Sequence, residues 1–340
     1  MIRKVVLGMS GGVDSAVAAV RLREQGYDVY GLFLELGLGG EETAQQTARE
    51  INIPLYIAHQ KDLFKKLVCQ PFAEAYRNGS TPNPCVCCNP LIKFHTLAEY
   101  ARQIDAPYIA TGHYVRTGRD AQGRALLLRA HTAKDQSYML YRLSRETVAK
   151  CLFPLGEVEN KEIVREQART FGISAAEQPD SMDVCFIPDG DTGGWLERHG
   201  VGCPSGNFVD EQGNILGRHK GIHHYTVGQR KGLGVAAAGR LFVQELRPET
   251  NEVVLSLQDI YKKEISVQET HYIAPEYVEP SGFHCSVRIR FSKFSYGATV
   301  YPEEEKRAHI VFDDVARAPA KGQSAVFYHE DIVIGGGFIV

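Results

Sequence analysis

Val5-Val6-Leu7-Gly8-Met9-Ser10-Gly11-Gly12-Val13-Asp14-Ser15 is the stretch that decides the fold of this 340-residue chain. An apolar run that ends in a glycine-rich turn, followed at once by a helical pattern over residues 16–25, predicts a strand–turn–helix unit. In such a unit the glycines let the backbone approach phosphate oxygens, and the free N–H groups at the helix start point at them. Ser10 and Ser15 offer hydroxyl donors, and Asp14 can orient the turn or help to hold a magnesium ion. No lysine follows the glycines, so the turn is not the phosphate loop GxxxxGK[ST].

Strand-like and helical segments alternate beyond this turn. Strands are predicted over 29–34, 55–58 and 108–111, helices over 41–50, 62–77 and 91–104, and a loop over 80–90. The alternation is typical of an α/β domain with a doubly wound parallel sheet. Its ligand should lie beyond the carboxyl ends of the strands, where the Ser10 turn and Thr111-Gly112-His113 are expected to meet.

The pattern changes along the rest of the chain. Residues 134–172 are mostly helical, and after about residue 195 short alternating runs are joined by turn residues. Beyond residue 239 the runs recur at hairpin spacing, which indicates a small β-barrel or sandwich. We therefore expect a first domain over 1–195, a small central domain over 196–262 and a C-terminal β-barrel over 263–340.

Composition limits the function classes. Hydrophobic residues make up 44% and charged residues 23% of the chain, which is ordinary for a globular protein. The net charge of −3 gives no global attraction to nucleic acid, so any RNA contact must come from local basic surface. We expect no membrane association, because no apolar run is long enough to span a bilayer and the first residues leave no room for a secretory signal. The eight cysteines are too few for a disulfide scaffold and indicate a reducing compartment, the cytoplasm.

Three cysteines crowd into Thr81-Pro82-Asn83-Pro84-Cys85-Val86-Cys87-Cys88-Asn89, for which the prolines and asparagines predict a stiff, non-helical loop. Cys85 and Cys88 form a C-x-x-C pair that suits zinc, a redox disulfide or part of an iron–sulfur cluster. A fourth ligand, such as Cys185, would have to come from far along the chain. Judged alone, Cys185 is expected to be a core cysteine, as are the isolated Cys69, Cys151, Cys203 and Cys285.

At this point the motifs resemble a family. In order, and over nearly the whole chain, they are similar to those of the bacterial tRNA-specific 2-thiouridylases, whose glycine turn is the SGGxDS loop of the PP-loop ATPases. The matching segments are Gly8 to Ser15, Thr81 to Pro84, Cys88-Asn89, Ile92-Lys93-Phe94, Ala110 to Tyr114, Lys134 to Tyr138, Asp180-Ser181, Cys185-Phe186-Ile187, Tyr225 to Gly234, Gly322 to Tyr328 and Gly335-Gly336-Gly337.

The resemblance implies a reaction. Sulfur replaces oxygen at C2 of the wobble uridine in tRNA, after ATP, with Mg²⁺, has adenylated that oxygen and turned it into a good leaving group. In the persulfide version Cys185 receives sulfur from a donor or relay protein, and Cys88 resolves the intermediate. The central domain would bind tRNA, with the anticodon stem-loop reaching the catalytic domain.

The resemblance also implies site residues. The catalytic ones would be Asp14, Cys85, Cys88 and Cys185. The nucleotide would lie on Gly8, Met9, Ser10, Gly11, Gly12, Val13, Asp14, Ser15, Leu34 and Gly112. The tRNA would touch Asn83, Pro84, Lys134, Asp135, Gln136, Arg290 and Phe291.

Two departures from the family pattern change the expected chemistry. Cys85 stands where the common pattern has an aspartate, and Cys87 is an additional cysteine without an assigned role. Because a thiolate is a better soft-metal ligand than a carboxylate, Cys85, Cys88 and Cys185 are a candidate set for a 4Fe–4S cluster with one open iron. The persulfide and cluster routes both stay open.

Two other functions compete. A PP-loop ligase or amidotransferase acting on a small molecule would leave the cysteine loop unexplained. A cluster-bearing RNA-binding redox sensor with a vestigial ATP site is disfavoured by the intact Ser10–Ser15 string.

Overall fold

The computed structural model of the chain describes residues 3–177, 184–292 and 294–340. Asp180 and Ser181, part of one family motif, lie outside the described residues. The strands are β1 (Arg3–Gly8), β2 (Tyr27–Glu35), β3 (Leu55–His59), β4 (Tyr108–Ala110), β5 (Val115–Arg119), β6 (Ala125–Arg129), β7 (Cys151–Leu152), β8 (Gly206–Val209), β9 (Ile215–His219), β10 (Phe242–Arg247), β11 (Glu252–Ser256), β12 (Tyr261–Tyr272), β13 (Phe283–Arg288), β14 (Tyr296–Glu303), β15 (Arg307–Arg317), β16 (Ser324–His329) and β17 (Ile332–Ile339). The helices are α1 (Val13–Glu24), α2 (Glu41–Glu50), α3 (Lys61–Phe64), α4 (Gln70–Arg77), α5 (Pro84–Cys88), α6 (His95–Gln103), α7 (Arg145–Lys150), α8 (Lys161–Thr170) and α9 (Thr192–Arg198).

The first sheet is parallel and has the order β3-β2-β1-β4-β7. Its central strand, β1, contains the apolar run Val5-Val6-Leu7 because both of its faces are covered there. Val5 and Leu7 pack with α1 and α8 in one core cluster, and Val6 packs with α6 in a second cluster on the opposite face. The doubly wound α/β prediction is therefore confirmed.

The order of the strands changes direction at β1: β2 and β3 lie on one side of it and β4 lies on the other. The sequence from β1 to β3 builds the sheet outward on one side, and β4 then pairs with the other side of β1. A crevice opens at such a switch point, beyond the carboxyl ends of the strands. The glycine turn after β1 lies there.

The second sheet has the order β10-β11-β8-β9, and the third contains a closed barrel. The barrel runs β12-β15-β14-β13-β16-β17 and is closed by pairing of β12 with β17, which confirms the predicted C-terminal β-barrel. The hairpin β5–β6 extends the barrel sheet from the first part of the chain, with Leu128 opposite Ile332.

Two local predictions are wrong. Residues 84–94, expected as a loop up to 90, form α5 followed by a π-helical turn at Asn89–Phe94. The Asn83 side chain accepts a hydrogen bond from the Cys85 N–H at 3.1 Å, and Pro84 occupies the first helical position, so these residues start a helix instead of preventing one. The segment 134–172 is less helical than expected, because α7 and α8 are separated by β7 and an irregular stretch.

Candidate active site

The glycine turn is held by its own serines. The Ser15 hydroxyl donates to the Gly12 carbonyl at 2.9 Å and lies 3.3 Å from the Ser10 hydroxyl. Gly11 has a φ of +81°, and a Cβ there would lie 2.8 Å from the Ala44 nitrogen of α2, so a side chain is excluded. Gly12 caps α1 without a side-chain hydrogen bond, which leaves the first-turn N–H groups to an anionic ligand.

Asp14 is fixed through both carboxylate oxygens. The Tyr114 hydroxyl donates to Oδ1 at 2.7 Å, and the Lys161 ammonium lies 2.9 Å from Oδ2. Lys161 is the first residue of α8 and is largely buried. Of the two roles predicted for Asp14, this arrangement favours orientation of the turn over binding of a magnesium ion.

Gly112 and Leu34 lie at the carboxyl ends of the strands that flank β1. A Cβ on Gly112 would be 2.9 Å from the Asp14 carbonyl carbon, so the segment after β4 touches the start of α1. Leu34 is half-buried near the end of β2, whose residues pair with β1. The structure thus places Gly112 against the start of α1 and Leu34 at the same edge of the sheet.

The thiols lie on the short helix α5. Cys85 and Cys88 are three residues apart and share one face, whereas Cys87 points elsewhere. Cys87 lines a cavity of 280 Å³ between the α3–α4 segment and the barrel. Burial raises the pKa of Cys88 to about 12, although Lys93 opposes this effect.

Cys185 is exposed, which contradicts the expectation of a core cysteine judged from its apolar neighbours alone. The next two residues, Phe186 and Ile187, are buried in the hydrophobic cluster that contains Cys88. The side chain of Cys185 itself is exposed to solvent. Cys69, also expected in the core, is half-exposed at the edge of the same cluster. Desolvation and the nearby Cys185 raise the pKa of Cys69 to about 11. Nothing local in the sequence connects Cys69 with the other thiols, so only the fold shows that it lies near them.

Lys93 is the second residue whose place in the site was missed. Burial works against its charge, but Cys88, Cys85 and Cys185 outweigh burial and raise the pKa of Lys93. Desolvation and Lys93 together lower the pKa of His113 to about 3, so His113 is neutral. Phe94 stacks on His113 with ring centroids 5.9 Å apart. These contacts connect the thiols to the Gly112 segment and so to the phosphate turn.

The cysteines do not form a compact metal site. Throughout the described ranges, the set of three potential ligand groups that lies within 4.8 Å is Glu197, His223 and His224. A tetrahedral zinc ion would need sulfur atoms about 3.8 Å apart, so the zinc option for Cys85 and its neighbours is not supported. A cluster that binds each thiolate through a different iron atom does not need such closeness.

Hydrogen bonding explains part of the Glu197 cluster. Nδ1 of His223 accepts the Cys203 N–H at 3.1 Å, which assigns the ring proton to Nε2. That Nε2 faces Glu197 Oε1 at 3.5 Å, and His224 Nε2 lies 3.1 Å from the same oxygen. Of these two imidazoles, the carboxylate therefore makes a hydrogen bond with that of His224 alone, and the buried Nε2 of His223 has no hydrogen-bond partner among the described residues. Because this Nε2 carries the ring proton, it offers a metal no lone pair.

The residues predicted to touch tRNA are placed differently from one another. Lys134 is exposed, Phe291 is 48% exposed, and Arg290 donates to the carbonyls of Arg317 and Ala318. Asp135 is buried and forms an ion pair with Arg288 at 2.6 Å.

The other three have structural contacts. The Gln136 side chain accepts the Tyr114 N–H at 2.9 Å. Asn83 caps α5, and Pro84 is the buried first residue of that helix. In this structure the carboxylate of Asp135 and the side-chain carbonyl of Gln136 hold the fold.

Models of known protein families match nearly the whole length of the chain. Three family models match in order: a tRNA methyl transferase HUP domain over residues 3–189, a tRNA methyl transferase PRC-barrel domain over 195–257 and an aminomethyltransferase β-barrel domain over 262–339. A solved 4-thiouridine synthetase–RNA complex with bound ATP covers 58% of this chain and 50% of its own at a TM-score of 0.35 and 16% identity, too weak a likeness to carry an argument about the site.

Curated relatives match over full length. The chain is 41% identical to the tRNA-specific 2-thiouridylase MnmA of Clostridioides difficile (strain 630), with 100% of this chain and 98% of that protein covered. It is 43% identical to the protein of the same name from Lachnoclostridium phytofermentans, with 99% of each covered. No described helix is long and apolar enough to cross a membrane. The chain belongs to the family of tRNA-specific 2-thiouridylases.

Proposed function

We propose that this enzyme catalyses ATP-dependent 2-thiolation of the wobble uridine in tRNA. The observation that carries the proposal is a line of neighbouring residues between an anion-binding turn and a group of thiols. It runs from Asp14 to Gly112, through His113 to Phe94 and Lys93, and from there to Cys88. One site of this kind can activate an oxygen and present sulfur to the same carbon.

The first step is activation. The uridine O2 attacks the α-phosphorus of ATP, and pyrophosphate leaves. The N–H groups at the start of α1 and the hydroxyls of Ser10 and Ser15 offset the charge that develops on the phosphates. Asp14, held by Tyr114 and Lys161, keeps the turn in place. Mg²⁺ would be bound chiefly by the ATP phosphates and water.

The second step is substitution by sulfur. In the persulfide route, the terminal sulfur of Cys185 attacks C2 and AMP leaves with the former O2. The Cys88 thiolate then attacks the Cys185 sulfur, which leaves the transferred sulfur on C2 and a Cys88–Cys185 disulfide that an external thiol must reduce. The exposed position of Cys185 supports loading by a sulfur-donor or relay protein.

The donor set also suits an iron–sulfur cluster. Cys85, Cys88 and Cys185 would hold it, Lys93 would balance part of its negative charge, and an open iron would bind the sulfide that is transferred. Cys85 is the residue that separates the two routes, because the persulfide route does not need its thiolate.

Cys87 provides a matched control for Cys85, since both lie on α5 but point to different surroundings. We propose to purify wild type, Cys85→Ala and Cys87→Ala anaerobically. Each protein is incubated with ATP, unmodified tRNA transcript and either sulfide or a cysteine desulfurase with cysteine. Iron content, the visible absorbance spectrum, AMP and 2-thiouridine are measured.

The outcomes separate the routes and the competing function. Loss of iron and of 2-thiouridine in Cys85→Ala, with Cys87→Ala unaffected, supports the cluster. A colourless, iron-free wild type that still thiolates tRNA supports the persulfide. If no protein forms 2-thiouridine and AMP appears only with a small metabolite, the enzyme is a PP-loop ligase and the proposal fails.

A further inference from the structure

An arginine at the end of β6 lies outside the site described above. The guanidinium carbon of Arg129 is 3.8 Å from the centroid of the Tyr328 ring, and that of Arg288 is 5.1 Å from the same ring. Two positive charges therefore share one aromatic side chain at the contact between the β5–β6 hairpin and the barrel. The Nε atoms of both arginines are buried and have no hydrogen-bond partner.

The nearby carboxylates are already engaged. Asp135 forms its ion pair with Arg288, and Asp331 forms one with Arg116 at 2.6 Å. Within the described parts of the chain, no carboxylate lies within 4.0 Å of the Arg129 guanidinium nitrogens. Burial and the neighbouring Arg288 lower the pKa of Arg129, and Tyr328, Asp135 and Asp331 offset this effect only in part, so no full counter-charge lies directly against the guanidinium. An external anion would supply that charge.

The loop beside this cation carries an exposed aromatic side chain. The Arg129 Nη2 atom is 3.5 Å from the hydroxyls of Ser286 and Ser295, so the loop that precedes β14 runs beside the guanidinium. Phe294, one residue before Ser295, is 77% exposed. The Ser292 hydroxyl accepts the Phe294 N–H at 3.3 Å and holds this turn of the loop.

We propose that Arg129 binds a backbone phosphate of the RNA substrate and that Phe294 stacks on a neighbouring base. A cation that reaches a phosphate beside an exposed aromatic that receives a base is the combination that binds single-stranded RNA. A peptide or a free phosphate would use the cation and leave Phe294 in water. This inference rests on the proposed function, since it assigns further contacts to the same RNA.

The test measures binding of an unmodified tRNA transcript to the full-length, ATP-free protein between about 50 and 200 mM salt. The variants are Arg129→Gln, Arg129→Lys and Phe294→Ala. Arg124→Gln is the matched control, because Arg124 lies on the same hairpin but is paired with Asp120.

Each variant has its own expected result. Arg129→Gln should reduce the slope of log K against log salt by about one and weaken binding about fivefold or more, while Arg129→Lys keeps the slope. Phe294→Ala should weaken binding about fivefold or more without changing the slope. Arg124→Gln should match wild type. At saturating transcript, Arg129→Gln and Phe294→Ala should thiolate at the wild-type kcat with a raised KM for tRNA.

Failure of the inference differs from failure of the proposed function. If wild type binds the transcript and both Arg129→Gln and Phe294→Ala bind it equally well, Arg129 and Phe294 do not contact RNA, although the enzyme still acts on it. A loss of affinity in Arg129→Gln with an unchanged slope and a lowered melting temperature assigns Arg129 to the fold and overturns the phosphate contact. If wild type does not bind the transcript, the proposed function itself fails.

Discussion

Replacing Gly112 by alanine tests whether the end of β4 and the start of α1 are held together. The backbone of Gly112 is not in the left-handed region, so it accepts alanine, and the effect of the change is steric. The new methyl group would lie 2.9 Å from the Asp14 carbonyl carbon, whereas ordinary contact begins at 3.4 Å. Because the obstacle is backbone at the first turn of a helix whose Ala16, Val17 and Ala18 are fully buried, α1 cannot move away freely.

We expect this overlap to cost about 1–3 kcal/mol in the free energy of unfolding. A shift of a few tenths of an ångström in the phosphate turn should lower kcat/KM for ATP by about four- to tenfold, because misplacement by 1 Å costs about a hundredfold. The assay is tRNA-dependent AMP formation at varied ATP, together with denaturant unfolding. Gly217→Ala is the control, since its methyl group meets Val235 at an ordinary 3.5 Å. Wild-type ATP kinetics and stability in Gly112→Ala would refute the rigid contact.

Three further predictions concern the same site. Tyr114→Phe removes the hydroxyl that donates to Asp14, so it should lower the free energy of unfolding by about 1.5–3 kcal/mol. It should also raise the KM for ATP, whereas the measured affinity for tRNA should stay unchanged. Because the pKa of His113 is lowered to about 3, the unfolded state binds more protons between pH 3 and its ordinary pKa near 6.5, so stability falls as pH falls through that range. Between pH 7 and pH 5, the free energy of unfolding measured with denaturant should fall by about 2 kcal/mol less in His113→Gln than in wild type. An equal fall in both proteins would contradict the lowered pKa of His113. Iodoacetamide should modify exposed Cys185 before buried Cys88, whose pKa is about 12, and peptide mass spectrometry of the metal-free protein measures the order.

The fold was predictable where its signals are local. The apolar run of β1, the glycines after it and the helix that follows are contiguous, and the alternation of strands and helices identifies the parallel sheet. The hairpin β5–β6 was missed because its partner β17 is some two hundred residues away, with Leu128 opposite Ile332. Asn83 and Pro84 were interpreted as breakers of regular structure. Asparagine and proline are also common at the first positions of helices. Whether they start a helix or interrupt one depends on the conformation of the residues that follow.

The candidate site shows the same limit more strongly. The identity of the phosphate turn follows from consecutive residues, but the role of Asp14 depends on Lys161, which is 147 residues away. The association of Cys69 with Cys185 likewise depends on tertiary packing. Sequence spacing identifies the residues able to do the chemistry, and the fold decides which of them meet.

The helical phase of α5 limits what the cysteine at position 85 can change. Cys85 and Cys88 share a face because they are three residues apart, whereas Cys87 lines a separate cavity. An aspartate at position 85 would project from the same face, so its replacement by cysteine exchanges a hard oxygen donor for a soft sulfur donor without moving the backbone. The ammonium group of Lys93 interacts favourably with negative charge on the nearby thiols, and it would do so with a carboxylate at position 85 as well. A thiolate at position 85 therefore offers a softer donor than a carboxylate would at the same place on α5.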